Sequence, residues 1–181
     1  MTCPDTKNTS VPRGRRRTDQ PSGRDALLQA ATQAFAQQSF EATSLRAVAS
    51  AAGVSQNLVS VHFNDKAGLW AACVATLTTQ MQHSLSVFTT LLGDERETLE
   101  NKLEAVLDLT AQFYLQNPAT NGFIMQTLSG DPARGEVLMD SLLRPVFDAS
   151  RPLLEEGIAA GLVRAHSPAI VTAIIHLTLG H

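Results

Sequence analysis

Cysteine, long apolar runs and aromatic rings are all scarce in this chain. Only two cysteines occur in 181 residues, Cys3 and Cys73. They are too far apart in sequence to form a disulfide framework or a zinc ligand cluster, and fit reduced thiols instead. The most apolar stretch, Ala169 to Gly180, is a dozen residues long, short of the roughly 18 needed to span a bilayer. Prolines and arginines break up Met1 to Asp25, which therefore has no apolar signal-peptide core, and a cytoplasmic location is expected. Catalytic hardware is missing as well. No nucleophile with a base, phosphate-cradling glycine loop or HExxH spacing occurs. His83, His166 and His176 are isolated, and each reads as a solvated or satisfied histidine. No enzyme activity, metal or cofactor is expected.

What is present is enough apolar material for a real core, 44% of residues, with only 17% charged. The net charge of −3 hides an asymmetry. Residues 1 to 66 carry eight basic side chains against five acidic ones, whereas residues 67 to 181 carry six against twelve. A basic front and an acidic back suit a protein that presents one end to a polyanion.

The periodicity is helical throughout, and the fold class is all-α. Residues 1 to 23 are polar, with three prolines and four closely spaced arginines, and are expected to form an arm without fixed structure. Leu27, Leu28, Ala31, Ala34 and Phe35 recur at three- and four-residue steps, giving a first helix to about Gln38. Thr43 or Ser44 is placed to cap a second helix facing inward through Leu45, Val48, Ala49 and Ala52. Gly53 closes it, and Ser55 stands where a third helix begins. The alternation from Val59 to Phe63 resembles a strand, but no partner strand is nearby. Asn64 or Asp65 then caps a fourth helix carrying Leu69, Trp70, Cys73, Val74, Leu77 and Met81.

Two short helices across a glycine turn make a helix-turn-helix, whose second helix can enter a DNA major groove. Gln56 and Asn57 can bond adenine bidentately, and Leu58, if exposed, can meet a thymine methyl. Lys66, at a helix start, can hold a phosphate together with free backbone amides. Thr43, Ser44 and Arg46 cluster where the preceding helix would cross the backbone. His62 either donates to a phosphate or braces the packing beside Phe63. Leu58 and Val61 remain open to a core role, and Gln56 and Asn57 to being ordinary solvated side chains.

The run from Arg24 to Leu69 resembles the DNA-binding domain of the TetR-type bacterial transcriptional regulators. Ala30-Ala31, Phe35, Phe40, Thr43, Ala49, Ala52-Gly53-Val54-Ser55, His62-Phe63 and Lys66 carry the resemblance. It implies a DNA-binding domain over 24–69 and a helical ligand-binding and dimerisation domain over 70–181. It further implies a double-stranded operator, palindromic for a homodimer, and a small-molecule effector. Three positions depart from the family pattern. Ser39 stands where glycine is usual, so the first helix needs a left-handed serine or a different turn. Asn57 and Leu58 replace a small residue and a threonine. Ser60 replaces a phosphate-contacting tyrosine and is shorter by a ring.

Beyond residue 70, helices are expected over Glu95 to Gln116, Gly122 to Leu128 and Pro132 to Arg144. Pro145 and Pro152 should make the next helix start late or bend, and Ser167-Pro168 should open the last. Trp70, Phe88, Phe113, Tyr114, Phe123 and Met125, with Met81, are candidates to line a largely apolar effector pocket. Leu153, Leu154, Ile158, Ile170, Val171, Ile174, Ile175 and Leu177 are candidates for a dimer face. The expected function is a ligand-responsive repressor, and the alternative is a degenerate family member acting through protein contacts. Such regulators usually continue with one more helix, so the end at His181 is expected to mean either a truncated sequence or a reduced dimer interface.

Overall fold

The computed structural model describes residues 22–179, and among them every regular element is a helix. The expected arm lies almost wholly outside the described residues, as do His181 and the Leu177 side chain.

Helix α1, Gly23–Gln37, starts on Ser22, whose hydroxyl accepts from the Asp25 amide at 3.1 Å and donates to the Asp25 carboxylate at 2.6 Å. Its apolar stripe buries Leu27, Leu28, Ala31 and Phe35. The helix does not end on a left-handed serine. Gln38 turns extended at φ −137°, and Ser39 organises the next turn by accepting the Thr43 amide and hydroxyl on its carbonyl.

Helix α2, Leu45–Ala51, closes at Gly53, whose φ of +66° suits glycine. The Gly53 amide bonds the Ser50 carbonyl and the Val54 amide bonds the Ala49 carbonyl, the paired bonds of a Schellman turn. Helix α3 then runs Gln56–Phe63, so the alternating segment is helical. Its buried residues, Val59 and Phe63, are four apart, which is helical spacing on a single face.

A tight corner follows. Asn64 adopts φ +65° and ψ −62°, a γ-turn closed by the Asp65 amide on the Phe63 carbonyl at 2.8 Å, and Asp65 caps helix α4, Lys66–Leu92, by accepting the Gly68 amide at 2.8 Å. A Cβ on Gly68 would lie 2.0 Å from the Phe63 carbonyl oxygen. At 27 residues, α4 is about 40 Å long. It packs Leu69, Trp70, Cys73, Val74 and Leu77 against α1–α3, the head, and carries Met81 and Phe88 on into the body.

The body comprises α5, Leu99–Gln116; α6, Thr120–Leu128; α7, Pro132–Leu138; α8, Arg144–Ala159; and α9, Pro168–Leu179. Between α7 and α8 the chain does not break. Met139–Leu143 form a π-helical stretch, with the Arg144 amide bonding the Met139 carbonyl. This wider turn precedes Pro145, whose ring and missing N–H would disturb a regular α-helix. Helix α6 wedges the body against the head, with Phe123 edge-on to Phe35 at 6.2 Å and stacked with Trp70 at 6.3 Å.

Candidate nucleic-acid interface and effector cavity

The outward face of α3 is set by what α3 buries. Val59 and Phe63 fill the head core and Leu58 is half-buried against it, so Gln56, Asn57, Ser60 and Val61 point outward. Those four positions pair at a four-residue spacing and share one strip. The apolar residue offered to solvent is therefore Val61, 65% exposed, rather than Leu58. Around the strip, Ser44 and Ser55 occupy the N-cap positions of α2 and α3 without side-chain cap bonds. Arg46 and His62 are exposed, with the His62 ring 6.0 Å from Phe63. Arg24 is a cation that motif reading passed over. It is exposed, and its guanidinium lies 5.5 Å from the Phe63 ring at the end of α3. Its signal in the sequence was only a charge at the start of α1.

Thr43 and Lys66 face elsewhere than expected. Thr43 is 4% exposed and its hydroxyl donates inward to the Ser39 carbonyl at 3.0 Å. Lys66 donates to the carbonyls of Glu41 and Thr43, both at 3.1 Å, and its ammonium lies 4.8 Å from the Phe40 ring centre. Two of its three N–H bonds thus hold the α1–α2 loop, leaving one for a phosphate. From the body, Arg134 of α7 stacks on the same Phe40 ring at 3.8 Å and pairs with Glu41.

The basic balance of the front does not come from the described head. Arg24, Arg46 and Lys66 are matched there by Asp25, Glu41 and Asp65. The remaining front cations, Lys7, Arg13, Arg15, Arg16 and Arg17, belong to residues outside the described range.

The body contains a small apolar cavity of about 50 Å³ between α4, α5, α8 and α9. Phe88 and Phe113 line it with Met81, Leu85, Leu109 and Val146, and Ser150 and His176 add polar atoms. Tyr114 stands behind, its hydroxyl 2.7 Å from His176 Nδ1. Burial pushes the Tyr114 phenol up to about 12 and holds the His176 imidazole below its ordinary value. At neutral pH both groups are therefore uncharged, and a single proton lies between the phenol oxygen and Nδ1, its donor set by the imidazole tautomer. The other three aromatic or methionine candidates lie off this cavity. Trp70 and Phe123 stack in the core at the head–body junction, and Met125 is 43% exposed on α6. Aromatic spacing could identify them as apolar but not tell which interior they fill.

The dimer candidates also divide. Leu153 and Leu154 are each 3% exposed, packed inside the single chain and closed to a partner. Ile158, Val171 and Ile175 are half-buried. Ile170 and Ile174 are more than half exposed, four residues apart on α9 beside exposed Ala169 and Ala173. An apolar helix face is thus presented outward.

The architecture is a helix-turn-helix head joined by a long helix to a helical body. Residues 27–73 match the family described as bacterial regulatory proteins, tetR family. No curated protein matches the chain. The fold is similar to that of a TetR-like transcriptional regulator from Rhodococcus sp. RHA1, at 18% identity and TM-score 0.69, covering 91% of this chain and 85% of that one. It is also similar to HlyIIR, a hemolysin II transcriptional regulator, at 20% identity and TM-score 0.68, covering 87% and 85%. A third likeness is to the fatty acid degradation regulator FadR from Bacillus halodurans, at 16% identity and TM-score 0.62, covering 90% and 83%. Among the described residues no helix is long and apolar enough to cross a membrane.

Proposed function

We propose that the chain is a ligand-responsive transcriptional repressor that binds a palindromic operator as a homodimer. The observation that carries this is the outward strip of α3, where Gln56, Asn57, Ser60 and Val61 stand on a core-anchored helix. Gln56 and Asn57 read adenine edges, and Val61 meets a thymine methyl. Ser44, Ser55, Arg46, His62 and Arg24 hold phosphates around the strip, with one N–H of Lys66. The basic arm adds further phosphate contacts. Ile170 and Ile174 on α9 meet their copies in the dimer, setting two heads about 34 Å apart to match successive grooves.

A small, largely apolar effector enters beside Phe88 and Phe113, where the body helices part to widen the cavity of about 50 Å³. By favouring a body shape whose heads no longer match adjacent grooves, it lowers operator affinity, a coupling of about 1 to 3 kcal/mol. The test is a salt titration of binding to the chain's own promoter. A steep fall of log K with log salt is expected; a flat line would show that the phosphate contacts are absent and overturn the reading.

The charge balance of the described head favours a second reading, action through protein contacts without DNA. Gel filtration with a DNA shift separates the two. The repressor reading predicts a dimer that shifts DNA; a stable monomer that does not would support the alternative.

A further inference from the structure

A recess wider than the apolar cavity lies near the junction. A cleft of about 710 Å³ opens between α1, α4 and the α5–α6 corner, within the roughly 300 to 1,000 Å³ usual for small-molecule sites. The body cavity is about 50 Å³, well under the approximately 150 Å³ cavity known to take benzene. The cleft wall is rich in neutral amides: Gln29, Gln33 and Gln37 from α1, Gln80 from α4 and Gln116 from the end of α5. Among its lining residues none is basic or aromatic, and the one charged group is Asp25.

A second observation lies where α6 enters this wall. Thr120 is 1% exposed, and its hydroxyl has no hydrogen-bond partner. The helix starts on Ala119, whose side chain offers no cap to the first-turn amides. An unpaired buried hydroxyl costs about 1 to 3 kcal/mol, so a native fold that keeps one calls for a reason. The other wall threonines are spoken for, since Thr32 and Thr76 donate to carbonyls of their own helices.

We infer that the cleft at the head–body junction is a second ligand site, taking a neutral polyhydroxylated molecule of one or two sugar rings. Amides both donate and accept, which matches hydroxyls that do the same. Among the described lining residues no basic group partners an anion, which meets Asp25, and no ring offers a nucleobase a surface to stack on. Leu28, Leu77 and Pro118 supply apolar contact for the C–H faces of the ligand. The Thr120 hydroxyl supplies the deepest hydrogen bond, the Thr120 amide being held already by the Asn117 carbonyl at 3.0 Å. Occupation bridges α1 of the head to the α5–α6 corner of the body and so biases the head's orientation. Only that last consequence rests on the DNA-binding reading above.

The test is calorimetric titration of the full chain with D-glucose and D-sorbitol at millimolar concentration, with D-gluconate as the anionic counterpart. Saturable heat is expected with at least one of the two neutral probes, with gluconate weaker. The double variant Gln80→Ala/Gln116→Ala, at exposed helix positions, should bind that probe at least about tenfold more weakly, the loss of one to two hydrogen bonds. Thr120→Val should raise the melting temperature without probe while weakening the probe, because it removes the unpaired hydroxyl. Absence of saturable heat with both neutral probes, equal affinity for gluconate, unchanged affinity in the double variant, or a lowered melting temperature in Thr120→Val would each overturn the proposal. None of these readouts depends on DNA, so a failed promoter titration leaves them standing.

Discussion

Head and body are both helical, yet they are held together in different ways. In the head, polar atoms lock the corners. Lys66 ties down the carbonyls of Glu41 and Thr43, Ser39 gathers Thr43, Asp65 takes the Gly68 amide, and a Schellman turn closes at Gly53. In the body, side-chain packing dominates, and a half-buried hydrogen bond between Tyr114 and His176 links α5 to α9. A head fixed by such bonds presents the outward strip of α3 at a constant angle. A body joined by apolar contact can shift its helices without breaking many polar bonds, which the proposed effector response requires.

The sharpest way to break this contrast is a methyl group at matched glycines. Gly68→Ala drives a Cβ to 2.0 Å from the Phe63 carbonyl, backbone that has no room to yield. A loss of about 3 kcal/mol or more is expected in urea unfolding, with loss of DNA binding. At Gly157 in the body the added Cβ would meet only side-chain methyls, Leu103 Cδ1 and Val163 Cγ2, both at 3.1 Å. Gly157→Ala should cost about 1 kcal/mol or less. Equal losses would erase the distinction.

A second separation concerns charge. Removing residues 2–21 should leave head stability unchanged but lower the salt slope of DNA binding by about 0.9 for each arm cation that contacts a phosphate. Lys66→Met should do the reverse, destabilising the chain by about 1 to 2 kcal/mol through its carbonyl bonds while lowering the slope by about 0.9 at most. Denaturation and filter-binding titrations of both variants read out the pair.

The smallest expected effect lies in the body and is set by pH. His176 is held neutral by burial, so its folded pKa is below its unfolded one. As pH falls below about 6.5, the unfolded chain takes up a proton that the folded chain refuses, and stability declines down to the folded pKa. His176→Gln should flatten the melting-temperature profile between pH 7 and 5. Tyr114, pushed up to about 12, gives a mirror-image loss above pH 10.

Periodicity exposed the helices, and the turn at Gly53 exposed the helix-turn-helix, because both rest on local bonds. Partners distant in sequence were not legible. Lys66 reads as a surface cation until the α1–α2 loop is seen to curl over it, and Thr43 reads as a capping hydroxyl until that loop turns it inward. Leu153 and Leu154 show an apolar stripe, but a stripe does not say whether it faces its own chain or another. Val61 could have been found from its four-residue step after Asn57, once Val59 and Phe63 were assigned to the core. The continuous path from α7 into α8 was hidden because prolines ordinarily stop helices, and a π turn is not signalled by composition.

The most direct measurement is selection of bound DNA from a random pool by wild-type protein and by Gln56→Ala. If α3 reads bases, the wild type enriches two related half-sites roughly one helical turn apart, and the variant relaxes preference at one position within each half-site. An unenriched pool, or the same consensus from both proteins, would contradict the account.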